Sequence, residues 1–147
     1  MNAFGWAFLA ALLAATALRF WLAARHMAHI QAHRAAVPAE FAGQIGLDAH
    51  QRAADYTCAK TRLAMVSVAL EALIALALTL GGGLNVLHAL AAAMFDEGIA
   101  HGLALLMLVA LVMTLAELPV SLYSTLRIEA RFGFNKMTPA LFWKDFI

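Results

Sequence analysis

The sequence predicts an all-α polytopic membrane protein with three transmembrane helices and a cytoplasmic helical extension, and three observations lead there. The chain is 64% hydrophobic and 13% charged, with a mean hydropathy of +0.80, where soluble domains are about half apolar and a quarter charged. Three stretches, about residues 3–24, 63–80 and 102–126, are apolar over roughly the 20 residues that a helix needs to cross a hydrocarbon core of about 30 Å. Lys and Arg also keep to alternate connections: Arg19, Arg25, Arg34, Arg52, Lys60 and Arg62 lie in or around residues 25–62, and Arg127, Arg131, Lys136 and Lys144 follow the third stretch. The connection 81–101 carries Asp96 and Glu97 and no basic residue apart from histidine. By the positive-inside rule the N-terminus is outside, the loop 25–62 and the C-terminal tail are cytoplasmic, and the loop 81–101 is external.

The first span is a retained helix rather than a secretory leader, because Met1 and Asn2 carry no positive side chain and the basic residues follow the apolar run. It is expected to continue as "RHMAHIQAHRAA" until Pro38, whose ring pushes Val37 out of the helical region. His26, His29 and His33 then share one helix face at i, i+3 and i+7, a spacing a metal can use. With no acidic or cysteine ligand close in sequence, the reading is a solvated face.

The second helix is expected to start at Asp48, with "DAHQ" as a capping box in which Gln51 reaches back. It enters the membrane without a break and stops at Gly81, Gly82 and Gly83. The segment "LNVLHALAAAMFDEGIA" is apolar enough to fold back against the membrane. The third helix carries Pro119, which frees a backbone carbonyl and kinks it, and runs through "LYSTLRIEA" to Gly133. Thr138, Pro139 and a Met137–Phe142 staple then open a further helix.

A net charge of +1 gives no reason to expect nucleic acid. Cys58 is the single cysteine, which excludes an intramolecular disulfide. The informative residues are polar ones inside the apolar stretches. Glu71 and Glu117 each cost roughly 2.5–3.5 kcal/mol at the centre of a span, so they face protein or water rather than lipid. Thr114, Glu117, Ser121 and Ser124 are spaced by three and four along one face, and Ser67 lies one turn from Glu71. Both stripes either line an aqueous chamber or bond between packed helices, and spacing alone leaves the two readings open. Arg19 is expected to snorkel to the inner interface rather than pair with Glu117. Past the third span, Gly133 and Asn135 suit a helix end and chain reversal, so Arg131, Phe134 and Asn135 are candidates for a turn or a contact with a catalytic domain.

Catalytic signatures are missing from the chain. No H-E-x-x-H brings two histidines and a carboxylate onto one helix face, and no P-loop or G-x-S-x-G elbow occurs. No catalytic residue or metal ligand is therefore assigned, and no cofactor is expected in this chain.

Taken together, "VPAEF" (37–41), "HQRAADYTCAKTRL" (50–63) and "ELPVSLYSTLRIEARFGFNKMTP" (117–139) resemble the amino-terminal membrane domain of the CAAX prenyl protease type of integral-membrane zinc metallopeptidases, including their bacterial relatives. The third segment is the most specific, a Glu-Leu-Pro span followed directly by Arg-Phe-Gly-Phe-Asn and a capped helix. The resemblance covers nearly the whole chain. It implies a larger helical ring around a water-filled chamber, with zinc held by H-E-x-x-H and a downstream Glu in the full-length parent, beyond Ile147. It further implies, as partners, the bilayer, the remaining helices and catalytic domain, and a peptide or lipidated protein substrate. A segment of a membrane quality-control metalloprotease and a non-catalytic membrane scaffold are the alternatives.

Overall fold

The computed structural model describes residues 2–133, and among them every regular element is helical. Helix α1 spans Ala3–His33. Its first turn is capped by Asn2, whose Oδ1 accepts a hydrogen bond from the Gly5 amide at 2.9 Å, satisfying one of the helix's unpaired donors. The helix ends three residues short of the expected "RHMAHIQAHRAA" limit, and Arg34, the first residue past its end, pairs with Asp55. A single 3₁₀ turn, Ala39–Phe41, follows Pro38.

Helix α2 spans Leu47–Thr79. It starts one residue before Asp48, with the Gly46 carbonyl accepting from His50, so Asp48 is not the cap of the anticipated box. Asp48 lies instead inside the first turn, where a carboxylate favours the positive helix end, and it pairs with Arg52 one turn on at 2.7 Å. At the other end the Leu76 carbonyl accepts from both Leu80 and Gly81, and Gly82 takes a left-handed φ of 78°. Helix α3, Gly83–Met94, begins immediately, so most of the segment "LNVLHALAAAMFDEGIA" forms a short apolar helix.

Helix α4 spans Ile99–Tyr123 and contains Pro119. The chain then winds more widely through a π-helical stretch, Ser124–Glu129, which helical periodicity does not foretell. The helix closes where Phe132 donates to the Ile128 carbonyl and Gly133 adopts φ 77°, a conformation that an L side chain resists. Phe134, Asn135 and the helix start proposed at Thr138 and Pro139 lie outside the described residues.

Helices α1, α2 and α4 with its π-helical extension are each long and apolar enough to cross a membrane. Large apolar side chains within them remain uncovered: Leu73 is 64% and Leu106 is 69% exposed. In water such surface would be strongly unfavourable, so lipid or further helices must cover it. The protein is integral to the membrane. Two compact units divide the chain. One comprises residues up to 16 together with 67–119, and its buried residues are Gly5, Leu87, Ala91 and His101. The other comprises 17–66 and 120 onward, with Ala54, Cys58 and Ile128 buried.

Candidate functional site

The second unit gathers charges that the sequence scatters. The Lys60 ammonium donates to Ser124 Oγ at 2.9 Å and to Glu129 Oε1 at 3.1 Å. These partners are the first and last residues of the π-helical stretch, so one cation spans it from α2. The Lys60 and Glu129 side chains are 40% and 28% exposed, enough shelter for the pair to resist screening better than a surface contact does. Beside it the Tyr56 ring meets Phe132 edge-on, with centroids 5.5 Å apart.

A second link ties the end of α1 to α2. Arg34 Nε donates to Asp55 Oδ1 at 2.8 Å and Nη2 to Oδ2 at 2.7 Å, a forked pair that fixes orientation as well as distance. Gln31 Nε2 donates to Cys58 Sγ at 3.4 Å. Cys58 is only 3% exposed, which keeps the thiol from solvent reagents. The Arg34 hydrogen bond holds the Asp55 carboxyl below its ordinary range against the opposing effect of desolvation, and the charges of Arg34 and Arg131 add to it. Arg34 is raised in turn, first by the same hydrogen bond.

The sign of the pH effect follows. A carboxyl depressed in the folded state contributes stability that is complete above its unfolded value, about 3.9, and lost as pH falls through the lower folded value. Acidifying the solubilised chain below about pH 4 is therefore expected to lower its melting temperature, and Asp55→Asn is expected to flatten that part of the profile. An unchanged acid limb in Asp55→Asn would assign the effect to other carboxylates.

In the first unit His88 and His101 form a pair, Nδ1 to Nε2 at 2.9 Å, with rings tilted by 72°. His101 is 8% exposed, and its Nδ1 has no hydrogen-bond partner among the described residues. Their separation of 13 positions across α3 matches no local spacing rule, which is why the sequence does not reveal the pair.

The residues marked from sequence divide by position. Thr114, Glu117 and Ser121 are exposed on one face of α4, and Ser67 and Glu71 are half-buried on α2. Ser124 is half-buried and engaged by Lys60. Arg131 is exposed, with its guanidinium 5.6 Å from the Phe132 ring centre. His26, His29 and His33 are exposed, and His33 Nδ1 lies 2.9 Å from the carbonyl of His29 on its own helix. Among the described residues no three His, Cys, Asp or Glu side chains gather where a metal ion could be held. These residues do not fit a zinc site, since such a site needs at least three convergent protein ligands.

Long apolar helices with uncovered faces, a polar stripe on α4 and charged links gathered in one unit define a polytopic helical membrane domain with no metal centre among its described residues. The family described as "CAAX prenyl protease N-terminal, five membrane helices" matches residues 26–147, and the chain belongs to it. The fold is similar to the crystal structure of S. mikatae Ste24p, with a TM-score of 0.87 and 21% identity, over 99% of this chain and 35% of that one. At that identity the likeness is one of fold, and this chain spans about a third of the matched protein. No curated protein sequence matches the chain.

Proposed function

We propose that the chain is the amino-terminal membrane portion of a zinc metalloendopeptidase of the CAAX prenyl protease type, forming part of the wall of a water-filled substrate chamber. The exposed stripe Thr114, Glu117 and Ser121 on an otherwise apolar helix carries this reading. A carboxylate at that depth is stable only against water or protein, and the water-filled chamber that the resemblance implies would supply the water. The zinc and its ligands belong to residues outside this chain. Substrates are lipidated, CAAX-type or membrane-bound proteins cleaved near the C-terminus, and this segment guides and shields them while other residues do the chemistry. Residues 25–62 and the region after 126 face the cytoplasm, and 81–101 faces outside, following the distribution of Lys and Arg.

Single cysteines test the chamber and the topology together in a protein that joins this chain to the family's catalytic region. A cysteine at Glu117 is expected to react with a small membrane-impermeant thiol reagent. Cysteines at the exposed Ala53 and Asp96 are expected to label from the cytoplasmic and external sides respectively. Glu117→Gln should leave the protein folded while changing turnover. An inert cysteine at Glu117, with Glu117→Leu tolerated or stabilising, would make the stripe a dry helix contact and end the chamber reading.

A further inference from the structure

A cavity of about 790 Å³ opens in the second unit, and three of its lining side chains are Arg62, Arg127 and Arg131. Much of the remaining wall is apolar, including Leu63, Val66 and Phe132. Among the described residues no ion pair joins any of the three guanidinium groups to a carboxylate, whereas Arg34, Arg52 and Lys60 each hold one. Asp55 is close enough for its charge and that of Arg131 to interact, but its oxygens are already forked by Arg34. Three like charges around one space repel one another, and an anion seated among them removes that penalty.

The position of the arginines narrows the anion's chemistry. Arg62 directly precedes the apolar stretch 63–80 of α2, and Arg127 directly follows the apolar stretch 102–126 of α4. Both therefore stand where hydrocarbon gives way to headgroups, with Leu63 and Val66 on the hydrocarbon side of Arg62. We infer that this cavity binds the phosphate of an anionic phospholipid, with the guanidinium groups forking the phosphate oxygens and the apolar wall receiving the start of an acyl chain. Guanidinium is the side chain suited to this, being planar, permanently charged and able to pair with two phosphate oxygens at once. Basic pockets between membrane helices near the interface hold anionic headgroups by this chemistry. The inference is independent of any proteolytic role.

Native mass spectrometry of the chain released from mixed micelles of phosphatidylcholine and phosphatidylglycerol tests it. The expected result is one retained phosphatidylglycerol, in preference to phosphatidylcholine. Retention should drop about fivefold for each of Arg62→Gln and Arg127→Gln. Arg25→Gln removes the same charge from a residue stacked on Trp21 and should retain the lipid like the unaltered chain. Arg62→Lys and Arg127→Lys, which keep the charge and guard against misfolding, should bind more than their Gln counterparts. Equal loss in Arg25→Gln, equal loss in the Lys and Gln variants, or no preference for phosphatidylglycerol would overturn the proposal. Displacement of the lipid by inorganic phosphate would overturn it too, by making the cavity a site for a free anion.

Discussion

Alanine at Gly81 is expected to destabilise the chain by about 2–3 kcal/mol, measured by thermal or denaturant unfolding in detergent. A Cβ there would stand 2.7 Å from the Ala77 carbonyl oxygen and 3.0 Å from its Cα, both backbone atoms that have no rotamer with which to give way. Gly83 is nearly as tight, 2.9 Å from the same oxygen and 3.0 Å from Leu78 Cα. Gly82 between them has open space but a φ of 78°, so Gly82→Ala should cost less, about 1–2 kcal/mol. The three glycines thus serve two purposes. Two let the chain pass close over the last turn of α2, and one supplies the left-handed turn that starts α3 four positions after α2 ends. Gly102→Ala is the control, since nothing lies within 4 Å of its Cβ; it should be neutral or slightly stabilising through helix propensity. Equal losses at Gly81 and Gly102 would refute the close-approach account.

Those glycines also mark how far the sequence can be read. Its breakers place the end of α2 within two residues, because helix termination is written locally in residues that only such turns accept. The three spans are legible for the same kind of reason, as bilayer thickness converts directly into a length of apolar sequence. The early start of α2 was not, since Gly46 at the helix boundary competes with a better-looking Asp48 and only the backbone bond to His50 decides. Nor were the polar links. Lys60 is 64 positions from Ser124 and 69 from Glu129, and Arg34 is 21 from Asp55, distances at which no periodicity speaks. Residues assigned to a face by spacing, such as Thr114 and Glu117, could be placed on α4 but not given a partner.

The π-helical stretch is the clearest case of structure imposed from outside its own segment, and it yields the second large effect. In an α-helix, residues five apart are roughly 140° apart around the axis, so Ser124 and Glu129 would point to different faces. A π turn bonds i to i+5 and brings such a pair toward one side, where a single Lys60 ammonium reaches both. Lys60→Met removes that ammonium and leaves the Glu129 carboxylate, 28% exposed, without its cation. The expected loss is about 2–3 kcal/mol, below the range for a fully buried pair because both side chains still touch solvent. Glu129→Gln should lose less, and the double variant should recover part of the loss, since no unpaired carboxylate then remains. Ser124→Ala removes one acceptor and should cost about 0.5–1.5 kcal/mol. If the lysine holds the wide turn, amides across 124–130 should also change their exchange protection in Lys60→Met as the segment relaxes toward α-helical pairing, while amides in the first turns of α4 stay as they were. Strict additivity of Lys60→Met and Glu129→Gln, with unaltered exchange, would mean that the stretch is set by its own residues or by Pro119 upstream rather than by the cross-helix cation.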